Sequence, residues 1–317
     1  MSENILLVGA GYMAAEYAKV LKVMKKPFIV IGRGIKSAKK FKETTGINVV
    51  SGGLNNWVKK QKTIPKIAIV AVNVDQLSKT TMELLSRGVE LILVEKPGGM
   101  TAEEIKTLSN TAKRKKSHVY VAYNRRFYAS TKKAMDIIKK DGGVKSFTFD
   151  FTELSYQISK LKLPTAVKEN WFLANSSHVV DLAFFLGGKP SDMRSYKSGG
   201  LRWHPNGSIF VGAGISESGA PFSYSANWAS PGRWGLEVFT SKSRLIFRPL
   251  EKLQIQKIGS FAVEEVLIDD KLDKEFKPGV YEQTRSFFSN RNNLITIQKQ
   301  AEALKFYNQI IDGSAKT

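Results

Sequence analysis

The sequence predicts an α/β protein in two parts. A doubly wound parallel sheet comes first, and a C-terminal α/β region follows, built on a large, mainly antiparallel open sheet. Three observations carry this expectation. Over residues 1–122 short continuous apolar runs alternate with helical patterns, as in a parallel sheet covered on both faces. After about Tyr123 apolar residues alternate with polar ones, in short β-like stretches separated by Gly, Pro and Ser turns. The length of 317 residues favours two domains, or one large α/β unit, over a single small core.

Taken in order, residues 5–8 form an apolar run and 12–24 a helical pattern. A second run at 28–31 precedes a Lys-rich helical stretch at 37–44, and a third run lies at 47–50. Further strands are expected at 67–72, 91–94 and 118–122, with helices at 76–86 and 102–113 between them. These make the first domain, 1–122. The second, 123–317, begins with a helix at 130–140 and an alternating stretch at 144–154. A helix at 177–186 stops at Gly187-Gly188, and strands are expected at 208–215, 222–228, 236–240, 244–247 and 253–258. One long helix, 282–311, is expected to close the chain at Gly313 and to pack back on the first domain.

Composition removes several classes of function. At 42% hydrophobic and 24% charged residues the chain is that of a folded globular protein. Without cysteine it has no disulfide, no iron–sulfur cluster, no Cys-ligated zinc and no thiol nucleophile. His118, His178 and His204 are scattered, so no metal site is expected. No apolar run approaches the roughly 18–20 residues that span a bilayer, and a strand begins by Ile5, too early for a signal peptide. A cytoplasmic protein with no membrane partner is expected. The net charge of +21 points either to an anionic partner or to a lysine-rich solvated surface. With 12 Arg and 37 Lys spread along the chain, and no clustering of Arg with aromatics, a nucleic-acid partner is not expected.

The strand at 5–8 runs into Gly9-Ala10-Gly11-Tyr12-Met13-Ala14, a G-x-G-x-x-A turn opening a helix. Gly9 permits the tight turn, Gly11 lets the backbone approach a pyrophosphate, and Ala14 keeps the helix close to the sheet. The helix N-terminus, through Tyr12 and Met13, offers free N–H groups to phosphate. In this strand–turn–helix context the pattern predicts dinucleotide binding and a Rossmann domain. The second strand ends at Gly32-Arg33, where an NAD site usually places an acid. Arg33, with Lys36, Lys39 and Lys40 behind it, favours NADP over NAD; its alternative role is to stack on adenine or cover the sheet edge.

Further motifs accumulate downstream. Residues 88–99 read GVELILVEKPGG, with Glu95-Lys96-Pro97 at a strand end; Tyr123-Asn124-Arg125-Arg126-Phe127 follows the sixth strand. Ser176-Ser177-His178-Val179-Val180-Asp181 opens a helix as H-x-x-D. Together with the glycine turn, these resemble the Gfo/Idh/MocA family of nicotinamide-dependent oxidoreductases, in order and spacing across essentially the whole chain. The late strand pair near 236–253 is similar too. Two departures stand out. After the fourth strand many members read T-P-N and a histidine, whereas this chain has Val72-Asn73-Val74 in a segment that ends with Leu77. The Asp that many members carry four residues before the H-x-x-D histidine is Ala174 here.

The resemblance implies hydride transfer between nicotinamide and a secondary alcohol or ketone of a sugar, nucleotide sugar or cyclitol. It also implies a homo-oligomer, dimer or tetramer, assembled through the antiparallel sheet. Gly9, Gly11, Tyr12, Met13, Ala14, Gly32, Arg33, Ala71, Val72, Asn73, Glu95, Lys96 and Asn124 would then meet the cofactor. Lys96 and His178 are the expected catalytic pair. Tyr123, Arg126, Trp171 and Asn175 would join them at the substrate, although Tyr123, Asn124 and Arg126 serve equally well as structural ties. Asp181, one turn beyond His178, reads as structural. A cis Lys96–Pro97 bond is suggested by the resemblance, against the general preference for trans. Ala174 keeps open an imine or tetrapyrrole-type reductase on the same fold. A non-catalytic dinucleotide-binding regulator is the further alternative.

Overall fold

The computed structural model describes residues 4–313. They divide into two compact units, one of residues 4–124 with 272–302 and the other of 125–271 with 303–313. Among the described residues no helix is long and apolar enough to cross a membrane.

In the first unit β1 (Ile5–Val8), α1 (Tyr12–Val23), β2 (Phe28–Ile31), α2 (Ile35–Thr45), β3 (Val49–Val50) and α3 (Leu54–Val58) form one half. The other half is β4 (Ile67–Val70), α4 (Leu77–Ser86), β5 (Leu91–Glu95), α5 (Ala102–Lys115) and β6 (His118–Ala122). The strands are ordered β3-β2-β1-β4-β5-β6 and all are parallel. Ile5, Leu6, Leu7 and Val8 are all buried, as are Ala68, Ile69 and Val70 beside them. A strand covered on both faces has no polar side to present, which is why these runs do not alternate. The order reverses between β1 and β4, and the ends of those two strands define the crevice where such sheets place ligands.

The second unit holds α6 (Ala129–Lys140), β7 (Ser146–Asp150), two short helices α7 (Ser155–Lys160) and α8 (Thr165–Glu169), and α9 (Ser177–Gly187). Then come β8 (Pro190–Ser198), β9 (Ile209–Ser216), β10 (Pro221–Asn227), β11 (Gly235–Phe239), β12 (Ser243–Phe247), β13 (Gln254–Lys257) and β14 (Val263–Glu265). They make an eight-stranded sheet, β14-β13-β12-β11-β7-β10-β9-β8, antiparallel except where β10 runs parallel to β7. Along β10 burial alternates strictly, with Phe222, Tyr224 and Ala226 inward and Ser223 and Ser225 outward. The inward rings of Phe147, Phe149 and Phe222 pack with Phe184 of α9, and Tyr224 stacks on Phe149. Each such ring contributes about 1.5–3 kcal/mol through burial. At Gly187 a β-carbon would overlap the Phe147 ring, so glycine sets how closely α9 lies on the sheet.

Several local features differ from the sequence expectation, among them α3, β8 and β14, which stand where no element was expected. The short helices at 155–169 lie where no element was foreseen, because neither is long enough to show helical periodicity. The pattern at 282–311 is not one helix. It is α11 (Val280–Phe288), a break, β15 (Ile295–Thr296) and α12 (Ile297–Asp312), with α10 (Lys271–Glu275) ahead of them. The break falls on Ser289-Asn290-Arg291-Asn292-Asn293, rich in residues whose side chains bond their own backbone: Asn290 Oδ1 accepts from Asn292 N at 2.9 Å. Ile295 and Thr296 then pair antiparallel with Val121 and Tyr120 of β6, giving the Rossmann sheet a seventh strand.

A buried polar network braces the first unit. Tyr17 of α1, fully buried, donates its hydroxyl proton to Glu95 Oε1 at 2.8 Å. Gln283 of α11, also fully buried, donates its amide to Tyr17 Oη at 3.2 Å and accepts from the backbone N–H groups of Tyr123 (3.2 Å) and Asn124 (3.1 Å). Burial raises the Glu95 pKa above the ordinary carboxylate value, and the Tyr17 hydrogen bond and the charge of Lys96 oppose the rise. The folded state therefore holds this proton more readily than the unfolded chain does. The burial penalty grows as pH rises from the unfolded value through the folded one. A hydrogen bond to the ionised carboxylate is worth more than one to the neutral acid. Tyr17→Phe is expected to cost about 2 kcal/mol at pH 8 and distinctly less at pH 4, where the raised pKa leaves Glu95 mostly protonated, read by urea unfolding at both pH values. An equal loss at both would contradict the assignment of Tyr17 as donor to a charged Glu95.

Candidate active site

In the first unit the expected cofactor residues gather at the carboxyl ends of the parallel strands. Gly9 leaves β1 with φ +133°, and a β-carbon there would run into the Ala71 carbonyl at the end of β4. Only glycine permits that approach. A β-carbon on Gly11 would meet nothing within 4 Å, so the space over the turn is open. The helix α1 starts at Tyr12 with no side-chain cap and no acid in its first turn. Its first backbone donors and its positive end are thus available to an anion. Ala14 is fully buried against the sheet. A turn without a side chain, an uncapped helix end and open space together fit a dinucleotide phosphate.

The neighbours arrange themselves around that turn. Gly32 ends β2, where a β-carbon would press on Ala10 and Val49 at 2.9 Å. Arg33 follows and is exposed, as are Lys36, Lys39 and Lys40. Ala71 is buried, Val72 half-buried and Asn73 exposed at the end of β4, beside the glycine turn. The Lys277 ammonium lies 5.2 Å from the centre of the Tyr12 ring.

Lys96 is half-buried at the end of β5, between Glu95 and a cis Lys96–Pro97 bond. The loop after it is pinned from both sides. Gln300, fully buried, donates to Pro97 O at 3.4 Å and to Tyr123 Oη at 3.0 Å. Thr101 caps α5 by accepting from Glu104 N at 3.2 Å, while Glu104 Oε2 accepts from Met100 N at 2.6 Å. This reciprocal pair resembles a capping box, with the carboxylate returning to Met100 instead of Thr101. Tyr123 is 1% exposed and its hydroxyl is held by Gln300, so it is a strut of this unit. Asn124 is buried too, its amide donating to Pro278 O at 2.9 Å.

In the second unit His178 is 6% exposed in the first turn of α9, its ring centre 6.2 Å from that of Trp234. Arg126 makes a bidentate pair with Asp181, Nη2 to Oδ1 at 2.6 Å and Nε to Oδ2 at 2.7 Å, and lies 4.7 Å from the Phe185 ring. Burial raises the Asp181 pKa, and the Arg126 charge opposes it. Asp181 is thereby structural, as its place one turn past His178 suggested. The segment leading into α9 is a π-helical turn, Phe172–Ser176, a geometry frequent at functional sites. From it Asn175 Nδ2 donates to both Glu153 oxygens at 3.1 Å, and Ser176 Oγ donates to Glu153 Oε1 at 2.6 Å. Trp171 packs edge-on against Trp203, which stacks on Trp228. His204 is buried with Nδ1 2.8 Å from Gly207 O, and burial lowers its pKa. No group of acids and histidines able to hold a metal occurs among the described residues.

Sequence reasoning passed over Tyr17, Gln283, Gln300 and Glu153. For Gln283 a signal existed. It lies with Val280, Thr284 and Phe287 on the i, i+3, i+4, i+7 stripe of α11, a polar group on an inward face. Glu153 gave none: it falls within the stretch expected to alternate, 144–154, whereas β7 ends at Asp150 and Glu153 lies in the irregular segment after it.

Known proteins agree with this geometry. Residues 3–123 match the model of the Gfo/Idh/MocA oxidoreductase family, its NAD-binding Rossmann fold. No curated protein matches in sequence. Among solved structures, levoglucosan dehydrogenase in complex with NADH superposes with a TM-score of 0.79 at 15% identity, covering 98% of this chain and 96% of its own. UDP-N-acetylglucosamine 3-dehydrogenase GnnA from Acidithiobacillus ferrooxidans gives 0.73 at 11%, covering 98% and 97%. The WlbA dehydrogenase from Chromobacterium violaceum, in complex with NADH and UDP-GlcNAcA, gives 0.71 at 15%, covering 98% and 92%. At these identities the likeness is one of fold. Residues 3–123, with their glycine turn and EKP segment, are thus similar to the NAD-binding Rossmann domain of the Gfo/Idh/MocA oxidoreductase family.

Proposed function

We propose that this oxidoreductase transfers a hydride between nicotinamide and a secondary alcohol or ketone of a sugar, nucleotide sugar or cyclitol. The observation that carries the reading is a half-buried lysine, Lys96, fixed at the carboxyl end of β5 on the same sheet edge as the glycine turn. Levoglucosan, UDP-N-acetylglucosamine and UDP-GlcNAcA appear with the fold neighbours, which supports the substrate class. In the oxidative direction the carbinol carbon gives hydride to the nicotinamide ring and its hydroxyl gives up a proton. Lys96 is assigned as donor to that oxygen, stabilising developing alkoxide charge. His178 is assigned as proton acceptor, since imidazole titrates near neutral pH. Lys96→Ala and His178→Ala are each expected to lower turnover about 10²-fold or more on a responsive sugar or nucleotide sugar, followed at the nicotinamide absorbance. His178→Ala should leave dinucleotide affinity unchanged. Near-wild-type turnover in His178→Ala would favour an imine-type reductase whose substrate takes its proton from water.

The cofactor assigned is NADP. Arg33 stands exposed after β2 with three lysines behind it, where an acid would repel a 2′-phosphate. NADPH is expected to bind more tightly than NADH, and Arg33→Ala to weaken NADPH selectively. Equal affinities in the wild type would return the assignment to NAD, whose reduced form is bound in the levoglucosan dehydrogenase and WlbA structures.

The protein is read as a cytoplasmic homo-oligomer assembled through the outer face of the second sheet. Tyr196, Val211 and Ile215 are exposed there on β8 and β9, and Tyr196 lies opposite Val211. A dimer or larger mass by light scattering is expected; a monomer at micromolar concentration would refute it.

A further inference from the structure

Ala174 removes the carboxylate that the family resemblance placed one turn before His178. Among the described residues, two acids of the second unit are buried, Glu153 at 6% exposure and Asp181 at 3%. Asp181 is committed to Arg126 through two short charge-assisted bonds. Glu153 is held differently. Ser176 Oγ and Asn175 Nδ2 donate to it, and the Trp234 indole stabilises its charge as well; all three groups are neutral. Two of its holders, Asn175 and Ser176, stand immediately ahead of His178 in the π-helical turn. A third, Trp234, lies beside the His178 ring.

Placing a carboxylate in the interior among neutral donors costs several kcal/mol. Burial accordingly raises the Glu153 pKa, with Ser176 the strongest opposing contact. A glutamine here would offer one acceptor oxygen and one N–H2 donor, whereas the carboxylate accepts at both oxygens. The π-helical turn is itself a departure from regular helix, and it is what carries Asn175 and Ser176 to this carboxylate. Arg125, with its guanidinium 5.1 Å from the Trp234 ring centre, and the Arg126–Asp181 pair are the charged groups flanking this neighbourhood. On β7 itself Asp150 is engaged at Thr152 N, 2.7 Å away.

We propose that Glu153 is a positioning residue for His178, supplying through Asn175, Ser176 and Trp234 the negative charge that supports the imidazolium. The inference deepens the proposed function and rests on its assignment of His178 as proton acceptor. Glu153 moves no proton to substrate in this scheme. It favours the protonated histidine that follows abstraction of the hydroxyl proton, so the incoming charge on His178 is balanced by one already in place.

The test uses the full chain labelled with 15N in its histidine rings, with the His178 signal identified by its loss in His178→Ala. Its titration is followed from pH 5 to 9 in the wild type, Glu153→Gln and Glu153→Asp, with folding checked by circular dichroism. Glu153→Gln is expected to lower the His178 midpoint by about one pH unit, the usual effect of one nearby opposite charge, and Glu153→Asp to restore most of it. An unchanged midpoint in folded Glu153→Gln would overturn the proposal. If that variant does not fold, Glu153→Asp decides, because it draws the carboxylate back by one methylene. A His178 midpoint slightly below the wild type supports the coupling, and an identical midpoint overturns it. On a responsive substrate, Glu153→Gln should lower kcat about tenfold, with KM and dinucleotide Kd little changed. Since the titration needs no substrate, it stands even if His178→Ala keeps its turnover. That outcome would defeat the assigned function of His178 and leave its coupling to Glu153 measured.

Discussion

The first unit is organised around one close approach, the turn at Gly9 lying on the Ala71 carbonyl with no room for a side chain between them. Because β1 and β4 are parallel neighbours in register, that contact brings the ends of both strands to the point where strand order reverses. The same turn starts α1 without a cap and leaves its donors open. A phosphate-binding end is thus a consequence of sheet topology combined with one missing β-carbon. The side chains around it adjust the result; they do not create it.

A second layer of the design is polar and buried. Tyr17, Glu95 and Gln283 join α1, β5 and α11 to the backbone at the end of β6, and Gln300 ties Pro97 to Tyr123. These bonds hold the residues on either side of Lys96, so that lysine sits on a rigid support. A satisfied buried network of this kind is stabilising only while each member keeps its partner. In the second unit Arg126–Asp181 and Glu153–Ser176 play comparable parts around the start of α9.

Much of this was legible in the sequence because it is local. Continuous apolar runs mark buried parallel strands, and G-x-G-x-x-A states its backbone geometry directly. The alternation in β10 likewise shows which side of the second sheet faces inward. What escaped depends on residues far apart in the chain. The break at 289–293 interrupts an otherwise helical pattern, and β15 exists only because β6 offers it an edge. Glu153 meets residues 22 and 23 positions later, and Tyr17 meets one 78 positions away. Nothing local marks such pairs. The reverse also occurred: Tyr123 and Asn124 carry a motif, yet their side chains are spent on internal bonds to Gln300 and Pro278.

The central claim is that a dinucleotide binds over the Gly9–Gly11 turn. It is tested most directly by titrating NADPH and NADH into the wild type and Gly9→Ala, reading nicotinamide fluorescence with folding checked by circular dichroism. A β-carbon at Gly9 must push the turn off Ala71. The wild type should bind one dinucleotide per chain, and a folded Gly9→Ala should bind at least about tenfold more weakly, a loss of roughly 1.4 kcal/mol or more. Equal affinity in the two proteins, or no binding by a folded wild type, would contradict the account.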